Sequence, residues 1–254
     1  MSTSPTSATL RRYNLSAAGL HATFAVVIVV LANTFALPVT ADYMAGPPGT
    51  TKRQYVTLFH LPMAWLIFSF FALSALAHLS VATFRRSSYD ANLALDRNPY
   101  RWLEYSLSSS IMILAIAQLT GISDVAALVA LIGVNASMIG FGWMQERYEQ
   151  PGGSLQPFWL GCVAGAVPWI AIGIYLIGPG ASDHPPGFVY AIYVSLFIAF
   201  NCFALVQYLQ YRQRGRFADY LVGEKTYLVL SFVAKSLLAW QIFASTLAAS
   251  TAPH

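Results

Sequence analysis

Charge is what this chain has least of. Only 9% of its 254 residues are Asp, Glu, Lys or Arg, against about 25% in an ordinary soluble domain. Hydrophobic residues make up 57%, and the mean hydropathy is +0.57. That balance excludes a conventional soluble globule and points to one membrane bundle with no soluble domain attached. Cysteine is almost missing. Cys162 and Cys202 both fall inside apolar runs, which excludes a disulfide framework and predicts buried thiols. A cleavable leader is not evident either. MSTSPTSATLRRYN is polar, and the run after it is too long for a signal h-region, so it is expected to remain as the first span. No internal repeat, metal cluster, nucleophile constellation or phosphate loop is visible, so enzymatic activity has no support in the sequence.

The net charge of +4 would suit a nucleic acid only if the basic residues lined one polar face. They sit instead in short clusters between apolar runs. Such clusters are topology signals and contacts for anionic lipid headgroups. No nucleic-acid partner is expected, and the lipid bilayer is.

What the chain does have is length in its apolar segments. A spanning helix needs about 20 mostly apolar residues. Seven segments qualify, at about 13–36, 55–84, 100–120, 122–144, 157–178, 187–211 and 222–248. The expected fold is an all-α membrane protein, a single seven-transmembrane-helix bundle over residues 1–254. Pro62 near the start of the second segment is tolerable in a first turn, and Pro168 predicts a kink in the fifth. Residues 37–54 form a long first loop. Its Gly46-Pro47-Pro48-Gly49 is turn chemistry flanked by Val, Thr and Tyr, which predicts a small extracellular β-hairpin lying on the membrane. The third and fourth helices are joined by a few residues around Gly121 and Asp124, and the loop at 179–186 is polar and rigid.

Orientation follows from the basic residues. Arg11, Arg12, Arg85, Arg86, Arg97, Arg101, Arg147, Arg212, Arg214, Arg216 and Lys225 fall on one side, and only Lys52 and Arg53 on the other. The basic side is expected to be cytoplasmic, which puts the N-terminus inside and the C-terminus outside.

Charges inside a bilayer cost about 2.5–3.5 kcal/mol each on insertion scales. Only Lys235 in the seventh helix and Glu104 in the third read as lying well inside; Glu146, Glu149, Glu224 and every Asp read as loop or helix-end residues. Lys235 lies ten residues after Lys225, about 15 Å along a helix and close to the midplane. One reading is a structural salt bridge with Glu104. The other is an amine that forms a Schiff base, whose protonated form needs a buried counterion; Glu104 is the candidate. Counted from the basic boundary, Glu104, Ser231, His78 and His21 fall at depths of roughly 5–14 Å, between Lys235 and the basic side. Ser231 is one turn before Lys235, Ser108 one turn beyond Glu104, and Ser74 one turn from His78, so four helices offer polar groups to one cavity. Each has a plainer alternative: a backbone-bonded serine, a satisfied core histidine, or Glu104 paired with Arg101. The aromatic complement, including Trp169 and Trp240 deep in their helices, suits the walls of a flat polyene or simple packing.

Several stretches carry a resemblance. Arg101-Trp102-Leu103-Glu104-Tyr105-Ser106-Leu107-Ser108-Ser109-Ser110 resembles the third-helix signature of heliorhodopsins. Ser231-Phe232-Val233-Ala234-Lys235-Ser236, followed by Ala239-Trp240-Gln241-Ile242-Phe243, resembles their retinal-lysine helix. Gly46-Pro47-Pro48-Gly49-Thr50-Thr51, Gly133-Val134-Asn135-Ala136-Ser137-Met138 and Phe203-Ala204-Leu205-Val206-Gln207-Tyr208 match as well, so the resemblance spans nearly the whole chain. It implies a rhodopsin-like bundle with all-trans retinal on Lys235 and Glu104 as main counterion. It further implies Ser231 and Ser74 near the Schiff base, and His21 and His78 in its polar cavity. Implied walls are Tyr105, Ser109, Asn135, Met138, Ile139, Trp169, Phe200 and Trp240. A cytoplasmic N-terminus fits the inverted topology of that family. One departure is Phe24, three residues after His21, where the family pattern has a glutamine; it implies a smaller water network.

The expected function is a retinal-binding light sensor that pumps no ion and signals through its cytoplasmic side to a partner the sequence does not identify. The alternative is a light-gated proton channel or light-driven ion transporter. Eleven residues beyond Glu104, where a pump often places a second carboxylate, stands Ala115, and the outer half offers only neutral groups such as Gln118 and Asn33. A homodimer is expected from Gly133, Ala136, Ser137 and Gly140 on the fourth helix, small residues that permit close helix approach.

Overall fold

The computed structural model describes residues 6–250, without the side chains of residues 246–250. The first five residues of the polar N-terminal stretch lie outside them. Along the chain come α1 (Ser7–Val30), β1 (Ala36–Met44), β2 (Arg53–Pro62), α2 (Met63–Ala82), α3 (Arg86–Leu93) and α4 (Pro99–Leu119). Then follow α5 (Val125–Tyr148), α6 (Gln156–Ile177), α7 (Gly187–Tyr211), a 3-10 turn (Gly215–Ala218) and α8 (Tyr220–Ser250). Seven of these helices, all but α3, are long and apolar enough to cross a membrane. A backbone in hydrocarbon must satisfy its own hydrogen bonds, and helices do so without help from neighbours.

Local chemistry sets the ends. Asn98 caps α4 by accepting from the Arg101 amide at 3.1 Å, and Pro99 begins it, where a missing N–H costs nothing. Asp124 caps α5 by accepting from the Ala126 and Ala127 amides at 3.0 and 3.2 Å. Gly121 makes the sharp α4–α5 turn with φ +94°, a conformation costly for other residues. Pro168 lies inside α6, as expected.

Three boundaries differ from the sequence reading; the first is the start of α1, at Ser7 and not near residue 13. Residues 55–62, read as the start of the second span, belong to β2. They pair antiparallel with β1, from Ala36 opposite Pro62 to Met44 opposite Arg53, with a bulge between Val39 and Thr40. Tyr, Val, Thr and Phe favour this extended pairing, and Pro62 closes the strand instead of sitting in a helical turn. For the same reason α1 ends at Val30 instead of near residue 36. The short helix α3 and the 3-10 turn were not anticipated.

The hairpin is fastened to the bundle. The Thr40 amide donates to the Ser123 carbonyl at 2.9 Å, and the Met63 amide to the Phe35 carbonyl at 3.1 Å. The Thr40 and Ser123 hydroxyls lie 3.0 Å apart. Beneath it lies the main apolar core, where Ile28, Phe70, Phe71, Ile113, Ile116, Ile172, Ile192 and Leu238 are fully buried. Lipid tails are as apolar as these side chains, so this half is held by close packing and dispersion. Gly133 and Ser137 of α5 face outward, and the Ser137 hydroxyl donates to the Gly133 carbonyl.

The opposite end of the bundle, where the basic residues lie, is built from polar side chains. Arg101, Glu146 and Glu224 are buried there, at 7%, 6% and 4% exposure. Glu146 and Glu224 read as helix-end residues in the sequence. They are instead interior groups, and Arg101 pairs with both of them and not with Glu104.

Candidate functional site

Lys235 lies on α8 and Glu104 on α4, and burial of both side chains leaves each as the other's partner: Nζ to Oε1 is 3.0 Å. Ser231, one turn earlier on α8, accepts from Nζ at 2.6 Å. Ser74 of α2 donates to the same Glu104 oxygen at 2.5 Å and also to the Phe70 carbonyl at 2.9 Å, so its backbone bond and its site role coexist. The Tyr105 ring lies 5.5 Å from Nζ, and its hydroxyl donates to the Tyr227 carbonyl at 2.9 Å. An isolated charge at this depth would be expensive; the matched pair with added hydrogen bonds is the tolerable arrangement.

His21 of α1 and His78 of α2 stack face to face, with centroids 5.4 Å apart and planes 5° from parallel. His78 Nδ1 is 2.8 Å from Asn14 Oδ1, and Asn14 Nδ2 donates to the Tyr89 hydroxyl at 3.4 Å. Both ring nitrogens of His21 and Nε2 of His78 are buried without a protein partner. Burial pushes the Tyr89 hydroxyl above its ordinary value, against the opposing Asn14 hydrogen bond, so it remains protonated. The stacked histidines are thus linked through Asn14 and Tyr89 to α3.

On the other side of Lys235 is a cavity of about 280 Å³ between α4, α5, α6, α7 and α8. Of the residues named from the sequence, Tyr105, Ser108, Ser109, Met138, Ile139, Trp169, Phe200, Ser231 and Lys235 line it. Asn135 stands behind, donating to the Ser109 and Ser110 hydroxyls at 2.8 and 3.0 Å. Trp240 is not on this wall: it is 40% exposed and packs against Phe24 and Phe243. Its position on α8 turns it toward α1, five residues and about 140° around the helix from Lys235.

The walls not anticipated include Trp102, Phe203, Tyr227, Cys162, Gly161 and Gly165. The two glycines were detectable by their four-residue spacing. A Cβ on Gly165 would lie 2.5 Å from Met138 Sδ, and one on Gly161 3.3 Å from Phe141 Cβ, so they let α5 and α6 close around the cavity. Among the described residues, no group of three or more His, Cys, Asp or Glu could hold a metal.

A seven-helix bundle with one buried lysine ion-paired beside an apolar cavity defines the microbial-rhodopsin class of retinal proteins. Solved structures share the fold. The light-driven proton pump rhodopsin of Coccomyxa subellipsoidea aligns with a TM-score of 0.64 at 15% identity, covering 93% of this chain and 96% of that one. The light-driven proton pump of Leptosphaeria maculans gives 0.64 at 13% identity, over 94% and 95%. The transmembrane domain of Salpingoeca rosetta rhodopsin phosphodiesterase gives 0.63 at 11%, over 94% and 85%. No curated protein matches by sequence. Within the class, residues 10–247 match the heliorhodopsin family, and the chain belongs to it.

The residues present fit a retinal. Lys235 Nζ opens on a cavity whose walls are mainly apolar and aromatic, with the Ser108 and Tyr227 hydroxyls buried there without partners. Lys235 would hold the chromophore, Met138, Trp169 and Phe200 would flank it, and Glu104 would supply the opposing charge.

Proposed function

We propose that this protein is a light sensor, with all-trans retinal bound covalently through Lys235 Nζ and Glu104 as its counterion, and with no net ion transport. The chemistry that retinal brings is visible absorption and light-driven isomerisation of a polyene double bond. The rest belongs to the chain. Glu104 Oε1 holds a proton on Lys235 Nζ, and the Ser74 hydroxyl keeps that oxygen in place. When the geometry at Nζ changes, the released proton has nearby acceptors in His21 and His78, whose nitrogens lack protein partners. Its charge then sits beside Asn14 and Tyr89, the route to α3, where it biases an equilibrium between conformations.

The observation that carries this reading is the one-sidedness of the polar groups. From Ser110 to the hairpin, the buried side chains of α4 are Met112, Ile113, Ala115, Ile116, Ala117 and Gln118, five of them apolar and none ionisable. An ion does not cross dry apolar packing. A proton that moves only between Lys235 and the histidines returns by the way it came and transfers no net charge. The excess of basic residues on the Arg101 side supports placing that side, and the N-terminus, in the cytoplasm, where a soluble partner would read the change. The small, outward-facing Gly133 and Ser137 support pairing of two copies through α5.

Light-induced pH changes and voltage-clamped photocurrents in liposomes or cells carrying the pigment test the proposal. The expected result is no external pH change and no sustained current. A sustained current that vanishes in Glu104→Gln would replace the sensor with a light-gated proton channel.

A further inference from the structure

Away from the retinal site, at the basic end of the bundle, a cavity of about 320 Å³ lies between the α3–α4 connection and the last two turns of α5. Arg97 and Arg147 line it together with Trp143, Met144, Gly140 and Pro99. Asp96, with φ +53°, turns the chain just before Arg97. The Arg97 guanidinium then donates to the Arg147 carbonyl at 3.2 Å. The end of a helix attracts a cation in this way, but it carries only about half a counter-charge.

Among the described residues, no carboxylate lies within ion-pair distance of Arg97 or Arg147. The one acid on the cavity wall is Glu146. It is already committed to Arg101, the Trp102 indole, the Asn98 amide and the Tyr220 hydroxyl. The cavity therefore presents two arginines without a counter-charge. Asn92 and Tyr148 add neutral polar groups to its walls; the rest, Pro99, Gly140, Trp143 and Met144, are apolar, and Trp143 and Met144 are 41% and 45% exposed on a spanning helix. A free anion gains nothing from such walls. An amphiphile with a negative head satisfies both.

We propose that this cavity is an anionic-phospholipid site: Arg97 and Arg147 take the headgroup phosphate, and an acyl chain lies on α5 along Met144, Trp143 and Gly140. Arginine suits a phosphate because its planar fork donates two hydrogen bonds at once. Gly140 lies seven residues from Arg147, about 10 Å toward the bilayer centre, and a Cβ added there meets nothing within 4 Å. The glycine leaves open the groove that the chain would occupy. This site does not depend on the retinal reading, because none of its residues touches Lys235.

The test is native mass spectrometry of the purified full-length protein, titrated with phosphatidylglycerol, with phosphatidylcholine, and with inorganic phosphate alone. Phosphatidylglycerol should bind best. Arg97→Gln and Arg147→Gln should each weaken it about fivefold, and the double variant about thirty-fold. Gly140→Leu should weaken it without altering charge, and Arg212→Gln, outside the cavity, should not. Circular dichroism and melting temperature establish that each variant is folded. Equal retention of phosphatidylcholine, or of phosphatidylglycerol by the double variant, would overturn the proposal. So would inorganic phosphate binding as tightly as the lipid. Loss of a dimer in the double variant with lipid retention unchanged would reassign the arginines to contact between copies.

Discussion

Followed from Ser110 toward the hairpin, the buried face of α4 reads Met112, Ile113, Ala115, Ile116, Ala117 and Gln118, with no ionisable group; followed the other way, it reads Ser108, Tyr105, Glu104, Trp102, Arg101 and Asn98. The same helix has a dry half and a polar half, and they are held by different forces. In the dry half, shape alone decides, because a bilayer offers no hydrophobic reward for bringing apolar helices together. In the polar half each buried charge needs an opposite one, and the loss of one leaves the other stranded. Arg101 shows how dense the matching is. It pairs with Glu146 and Glu224 while its guanidinium lies 4.7 and 4.2 Å from the Trp102 and Tyr227 ring centroids. The Asn98 side chain donates to Glu224 at 2.7 Å, and so ties α4 to α8.

Four substitutions bear on this difference. The largest effect is expected from Lys235→Ala, which removes the amine. With added retinal, the wild-type protein should show a visible absorption band and the variant none; a band that survives would remove Lys235 from its role. Next is Arg101→Met, which leaves two buried carboxylates facing each other. Breaking a buried ion pair costs about 3–5 kcal/mol, so thermal unfolding in detergent should begin far below that of the wild type. A melting temperature within a degree would mean that the polar half is not held by charge matching. Glu104→Gln should alter colour more than stability. The visible band should shift, and the pH at which half of it is lost should move by at least about one unit, because an opposite charge within 4 Å is gone. The smallest effect belongs to the dry half: Ile116→Val removes one methylene from a fully buried side chain and should cost about 0.5–1.5 kcal/mol. A larger loss there than in Arg101→Met would invert the comparison.

The sequence exposed the two halves unequally. Lys235 and Glu104 were legible as a pair because they are isolated mid-span charges, and an isolated charge in a bilayer demands a partner. The histidines and serines followed from counting depth along helices of known rise. The cluster of Arg101, Glu146 and Glu224 was not legible. At helix ends such residues ordinarily snorkel to water, and only the tertiary arrangement turns them inward. Residues 55–62 were misassigned because a short, mainly apolar segment running directly into a long apolar helix does not show where strand gives way to helix; the pairing with residues 36–44 decides it. Trp240 was placed on the cavity wall by resemblance, but its angular position on α8 sends it to Phe24. The cavity glycines, Gly161 and Gly165, left only their four-residue spacing as a signal, and what a side chain there would strike shows why they are small.

The hairpin has a mechanical consequence. It bridges the ends of α1 and α2 and is stitched through Thr40 to Ser123 at the head of α5, so three of the seven spans share one clasp. At the far end the same spans are joined through side chains instead: Ser7 donates to Asp90 of α3, Arg11 to the Ala82 carbonyl, and Glu146 of α5 pairs with Arg101. A set of rods clipped together at one end turns about the clip, and displacement grows with distance from it. A shift of these spans beside Lys235 is therefore expected to show more at the arginine-rich end, where side-chain contacts can exchange, than at the hairpin.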